Sequence, residues 1–76
     1  MFTIVQLFNG EPRREIGNVS AGNLAERLAT MREAGDGWGA RARVAAAHVP
    51  MALAAGAYVT EHGELCVDGE IVEVAS

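Results

Sequence analysis

The chain has 76 residues, of which half are apolar, four are aromatic and one is cysteine, and its net charge is −4. It lacks the apolar run of roughly 18–20 residues that a membrane span needs, the basic N-terminal region of a signal peptide and the second cysteine of an internal disulfide, so we expect one cytoplasmic domain over residues 1–76. An acidic chain is poorly suited to bind nucleic acid directly, and a domain this small, with a thin alanine-rich core, gains from a partner such as a second copy.

The first predicted element is a strand, FTIVQLF (Phe2–Phe8), because β-branched and aromatic residues favour a sheet. Asn9-Gly10 ends it with a strong hairpin signal. The following segment, EPRREIG, can return as a second strand. Pro12 would confine that strand to the edge of the sheet.

A helix is predicted next. Leu24, Leu28 and Met31 lie at positions i, i+4 and i+7 and therefore share one face of it. Ser20 and Asn23 are the alternative N-caps. We expect the apolar face of this helix to pack on the sheet.

The alanine-rich segment that follows predicts a second helix from Ala40 to about His48. Pro50 disfavours the helical conformation of Val49 and can open another short turn of helix over residues 50–55. A single helix kinked at Pro50 is the alternative. Trp38, just before this segment, is interpreted as a core anchor between helices, with an exposed contact residue as the alternative.

The last third of the chain predicts a three-stranded antiparallel meander, AYVTE, ELCV and EIVEV, joined at His62-Gly63 and Asp68-Gly69. Two-residue loops determine which residues share a face. The predicted core face holds Tyr58, Thr60, Leu65, Val67, Val72 and Val74, and the predicted outer face holds Val59, Cys66 and Ile71 among Glu61, Glu64 and Glu73. A bulged loop at either turn would invert this assignment.

The negative charge is concentrated in the meander. Residues 57–76 contain five carboxylates and no Arg or Lys, whereas residues 1–56 contain six arginines and five acids. We therefore expect Glu61, Glu64 and Glu73, with Val59 and Ile71 supplying apolar contact, to bind a basic, nucleic-acid-binding protein. The alternative is a merely solvated sheet face that also blocks edge pairing.

A secondary candidate surface combines Trp38 with Arg41 and Arg43. Cys66 is not expected to be a nucleophile, because the carboxylates around it disfavour a thiolate. We expect it to be an accessible thiol in an interface or an intermolecular disulfide, the alternative being an inert, half-buried side chain. One cysteine and two histidines are too few for a structural zinc site, so no metal, cofactor or catalytic residue is predicted.

In its size, its acidity and its acidic strand segment from Glu61 to Glu73, the chain resembles the anti-CRISPR proteins of phages. Those proteins are small, single-domain α/β chains without enzyme motifs, and some present carboxylates as a DNA mimic. The resemblance implies that the protein binds a Cas subunit of a CRISPR surveillance complex inside a host bacterium and blocks target DNA.

The expected fold is α+β, with an antiparallel sheet formed by the N-terminal strand and the C-terminal meander and with two or three helices packed on one face. The expected function is that of a non-enzymatic, protein-binding inhibitor. The first alternative is a small bacterial accessory or antitoxin-like protein that acts as a homodimer, and the second is an enzyme subunit.

Overall fold

The computed structural model describes residues 1–75 and shows an α+β fold built on one six-stranded sheet. Its elements are Phe2–Phe8 (β1), Glu11–Val19 (β2), Ala21–Arg32 (α1), Trp38–Ala45 (β3), the 3-10 turn Ala46–His48, Val49–Ala54 (α2), Tyr58–Val59 (β4), Leu65–Val67 (β5) and Glu70–Ala75 (β6). The strand order is β2-β1-β3-β6-β5-β4. Strands β3 and β6 run parallel, and the other neighbouring pairs are antiparallel. The α+β class is confirmed, whereas the predicted four-stranded, wholly antiparallel arrangement is wrong.

Two tight hairpins turn where the sequence predicts. Asn9-Gly10 joins β1 to β2, and Asp68-Gly69 joins β5 to β6. Both residues of each turn have positive φ, 51° and 82° in the first and 49° and 80° in the second. Such type I′ turns match the right-handed twist of the paired strands. The returning strand β2 lies at the edge of the sheet, as Pro12 predicts.

Helix α1 packs on the sheet with its predicted face. Leu24 and Leu28 are completely buried, and Met31 is buried beside them. Of the two predicted N-caps, Ser20 is the residue that precedes the helix. The core that α1 helps to form also contains Phe2, Ile4, Val19, Ala40, Ala42, Val44, Ala52, Ala57, Leu65, Val67 and Val72. No helix in residues 1–75 has the length and apolar character needed to cross a membrane.

Strand β3 occupies most of the segment predicted to be a helix over Ala40–His48. That prediction is wrong, as is the single helix kinked at Pro50, and only Ala46–His48 forms a 3-10 turn. Buried small residues alternate along β3 with arginines: Ala40, Ala42 and Val44 are buried, and Arg41 and Arg43 lie between them. This alternation suits a strand beneath a helix, and the burial it allows outweighs the helix propensity of alanine.

Helix α2 begins where the sequence predicts a short turn of helix. It spans Val49–Ala54 with Pro50 in its first turn. Proline is tolerated there because an N–H in the first turn has no hydrogen-bond partner within the helix. Ala52 of α2 is buried in the same core as the apolar face of α1. Both helices therefore lie on one side of the sheet.

The pairing of β5 with β6 is confirmed, but that of β4 with β5 differs from the prediction by one residue. Tyr58 lies opposite Cys66, and Val59 lies opposite Leu65. Tyr58 therefore shares the side of Cys66, and Val59 shares the side of Leu65, which reverses their predicted faces.

The cause of this shift is a longer loop between β4 and β5. The loop comprises residues 60–64 rather than His62-Gly63 alone. Its ends are joined by two hydrogen bonds: the Thr60 N–H donates to the Glu64 carbonyl at 2.8 Å, and the Glu64 N–H donates to Thr60 Oγ1 at 3.2 Å. We call residues 60–64 the acidic loop.

Candidate protein-binding surface

The side of the sheet opposite the helices is the outer face. Because successive residues of a strand point to opposite sides, the strand pairing determines which residues lie on it. They are Thr3, Val5 and Leu7 of β1, Pro12 and Glu15 of β2, Arg41 and Arg43 of β3, Ile71 and Glu73 of β6, Cys66 of β5 and Tyr58 of β4. Since α1 and α2 both contribute to the core on the other side, no helix of residues 1–75 covers this face.

One half of the outer face is formed by β2, β1 and β3 together with Glu73 of β6. Its charged side chains form ion pairs of opposite sign. Arg41 Nη1 lies 3.8 Å from Glu73 Oε2. Arg43 forms an ion pair with Glu15 on the far side of β1. The two arginines and two glutamates balance, so this half is neutral overall while both signs remain available to a partner.

A shallow groove of about 250 Å³ runs across the same half. It is lined by Val5, Leu7, Gly10, Pro12, Arg41, Arg43 and Glu73. The groove is therefore lined by both apolar and charged side chains.

The other half, formed by β6, β5 and β4, is apolar. Ile71 is 58% exposed and Tyr58 is 48% exposed, and both lie directly opposite Cys66 in the strand ladder. Cys66 lies on the outer face as predicted, but it is only 5% exposed. The expectation of an accessible thiol is therefore wrong, because a small side chain on an inner strand is enclosed by its neighbours on both sides.

The structure separates the residues of the predicted acidic surface. Glu61 and Glu64 lie in the acidic loop, whereas Glu73 lies on β6 beside Arg41. Ile71 is on the outer face, and Val59 is on the opposite side of the sheet. Of the three predicted carboxylates, Glu61 and Glu64 lack an arginine partner in residues 1–75, and both belong to the loop rather than to a strand.

The secondary candidate surface is also divided. Trp38 lies opposite Phe8 at one end of the sheet, with 4.9 Å between ring centroids. Strand alternation places it on the helix side, whereas Arg41 and Arg43 lie on the outer face. Trp38 is half-buried and packs against Phe8 in the sheet, not between two helices.

The acidic loop places an exposed histidine beside its carboxylates. In residues 1–75 no three His, Cys, Asp or Glu side chains come together as a metal site would require. His62 is exposed in the acidic loop, with Nε2 3.6 Å from Oε1 of Glu61. The surface offers apolar contact, paired charges and exposed carboxylates.

Sequence reasoning missed the contribution of β1 to the outer face. The alternation in FTIVQLF contains the signal, because Val5 and Leu7 lie on one side when Phe2 and Ile4 lie on the other. It was obscured because β3, the strand that pairs with β1, was predicted to be a helix. Comparison with protein-family models, with curated proteins and with solved structures finds no match to this chain.

Proposed function

We propose that this protein is a non-enzymatic inhibitor that binds a basic, nucleic-acid-binding protein through its acidic loop. The observation that supports this proposal is that the carboxylates of the loop are exposed and have no arginine partner in residues 1–75. Glu61 is almost fully exposed and Glu64 is exposed, and neither contacts an arginine in residues 1–75. Glu70 and Glu73, by contrast, are paired with Arg32 and Arg41.

Exposed carboxylates without an arginine partner attract a positively charged protein. The attraction steers diffusional encounter and favours a partner whose surface carries Arg and Lys. A nucleic-acid-binding groove has that character, because it must neutralise phosphates. The loop would thus occupy part of the path that phosphates follow and exclude the nucleic acid.

A Cas subunit of a CRISPR surveillance complex is the specific partner that the resemblance to anti-CRISPR proteins implies. Such complexes hold nucleic acid in a positively charged channel, which the carboxylates of the acidic loop complement. On this proposal the protein acts inside a bacterial cell and lowers the affinity of the complex for target DNA.

The test is affinity capture from a CRISPR-bearing bacterium, followed by mass spectrometry and a DNA-binding assay on the captured complex. The wild type should capture a nucleic-acid-binding protein and inhibit its binding to DNA. The double variant Glu61→Gln/Glu64→Gln should lose both properties. Glu26→Gln/Glu33→Gln is the matched control, because it removes two exposed carboxylates from the helix side with the same change in net charge.

Two results would contradict the proposal. Capture of a toxin instead of a nucleic-acid-binding protein would favour the accessory or antitoxin-like alternative, and capture of a metabolic enzyme would favour an enzyme subunit. Equal capture by the acidic-loop variant and by its control would show that the loop is not the contact surface.

A further inference from the structure

We infer that the outer face binds the outer face of a second copy of this chain, forming a symmetric dimer that leaves the acidic loops free. The inference does not depend on the proposed function. It starts from the apolar residues that the outer face leaves in water.

The exposure of Ile71 and Tyr58 is the first observation that supports the dimer. A sheet with one solvated face normally alternates apolar residues toward the core and polar residues toward water. Here the solvated side of β6 and β4 presents Ile71, 58% exposed, and Tyr58, 48% exposed, on either side of Cys66. Leu7 of β1, which is half-buried and lines the groove, adds a further partly exposed apolar side chain.

The charge distribution on the outer face favours a second copy of the chain as its binding partner. The ladder residues of the outer face include two arginines and two glutamates, Arg41, Arg43, Glu15 and Glu73. The net charge of −4 therefore lies outside this face. Two copies can meet there without like-charge repulsion, whereas a strongly basic partner would find no net attraction.

The pattern is also self-complementary. A two-fold axis brings the same patch of both copies together, so that residue i of one meets residue j of the other and the reverse. Across such an axis Arg41 can pair with Glu73 of the second copy, while Ile71 and Tyr58 of both copies share an apolar centre. The ion pair between Arg41 and Glu73 within one chain would then be replaced by the same ion pair between two chains.

The size of the face is sufficient. Six strands at a spacing of about 4.8 Å make a sheet about 24 Å wide. The strands range from two residues in β4 to nine in β2, so the face has an outline of roughly 500 Å². An interface of that size is at the low end of specific protein interfaces and suits a weak dimer.

The edges of the sheet are poor alternatives for self-association. Strand β2 is interrupted by two irregularities in its pairing with β1 and contains Pro12, and several of its residues are charged. These are the devices that block edge-to-edge pairing. The other edge, β4, has only two residues. Self-association therefore favours the face over either edge.

The test is the molar mass of the wild type by sedimentation velocity and light scattering over micromolar to millimolar concentrations. The mass should rise toward twice 8.0 kDa. Ile71→Asp should weaken the dimer at least about tenfold. Met51→Asp is the matched control and should not, because Met51 is also exposed, 64%, but lies on α2, on the opposite side of the sheet.

A measurement on the wild type alone makes the result independent of how the variants fold. On dilution, amide NMR shifts of the outer-face strands β1, β3, β4, β5 and β6 should change, and those of α1 and α2 should not. Three results would overturn the inference: a monomer at millimolar concentration, an Ile71→Asp variant that folds and dimerises as tightly as the wild type, or shifts confined to β2 that indicate edge pairing.

Discussion

Arg32, the last residue of α1, forms an ion pair with Glu70, the first residue of β6, with 2.8 Å between Nη1 and Oε1. The same guanidinium donates from Nε and Nη2 to the carbonyl of Ala40, at 3.3 and 3.1 Å. One side chain thus ties the end of the helix to two strands. The spacing of apolar residues in a helix does not reveal this contact, because it carries no information about what lies beyond the end of the helix.

We expect Arg32→Ala to lower the free energy of unfolding by about 1 kcal/mol, since charge-assisted hydrogen bonds are lost but a partly exposed ion pair is weakened by water. Arg27→Ala is the control, because Arg27 is exposed on the same helix and makes no ion pair in residues 1–75. Its effect should be about 0.5 kcal/mol or less. Equal effects of the two variants in urea unfolding would show that the Arg32 contacts do not stabilise the fold.

Leu28→Ala should be severely destabilising, because the Leu28 side chain is completely buried beneath α1. Truncating such a residue costs about 2–5 kcal/mol, a large part of the roughly 5–15 kcal/mol that stabilises a typical domain. Circular dichroism during urea unfolding measures the change. The control is Leu53→Ala on α2, where the side chain is 44% exposed and the loss should be small. A loss below about 1 kcal/mol for Leu28→Ala would contradict the packing of α1 described above.

The elements that sequence reasoning predicted well are those specified by neighbouring residues. Leu24, Leu28 and Met31 define the buried face of α1 through their spacing alone, and Asn9-Gly10 and Asp68-Gly69 require positive φ at both positions. Such signals act over a few residues, so they do not depend on the rest of the fold.

The elements that sequence reasoning missed depend on distant parts of the chain. Strand β3 forms because Ala40 and Ala42 lie beneath α1 and between β1 and β6, an environment that the helix propensity of alanine does not describe. The loop between β4 and β5 was predicted to be His62-Gly63, whereas it comprises residues 60–64, whose ends are joined by the Thr60 side chain and the Glu64 N–H, and this shifts the pairing of β4 with β5 by one residue. That one-residue difference moved Tyr58 onto the candidate surface and Val59 off it.

Gly37→Ala should destabilise the protein by about 1–2 kcal/mol. Gly37 has φ of +83°, and an added Cβ would lie 2.6 Å from Asn9 Oδ1. Its carbonyl also accepts the Asn9 N–H at 2.7 Å, which joins this turn to the first hairpin. Gly22→Ala in α1 is the control with the opposite expected sign, because no atom lies within 4 Å of its added Cβ and alanine favours a helix. Thermal unfolding of both variants measures the change in stability. A Gly37→Ala variant as stable as the wild type would contradict the close approach to Asn9.

Cys66 should resist thiol reagents in the folded protein. Its side chain is 5% exposed, so labelling requires local opening of β5 rather than simple encounter. Reaction with a chromogenic disulfide should be slow under native conditions and complete in guanidinium. Rapid labelling of the native protein, or a disulfide-linked dimer that forms at once in air, would show that the thiol is accessible.

Binding to the captured nucleic-acid-binding protein should weaken steeply with salt if the acidic loop is the contact. Charges on an exposed loop are screened within about 10 Å at 0.1 M ionic strength and within about 3 Å at 1 M, so raising sodium chloride over that range should remove most of the attraction. Glu61→Arg/Glu64→Arg should abolish binding while the fold persists, because substitutions at exposed positions usually change stability by about 0.5 kcal/mol or less. Glu73 is left unchanged, since it pairs with Arg41. Isothermal titration calorimetry measures both effects. Affinity that is independent of salt and unchanged in the double variant would mean that the partner contacts an apolar surface, and Ile71→Asp would then be the substitution that abolishes binding.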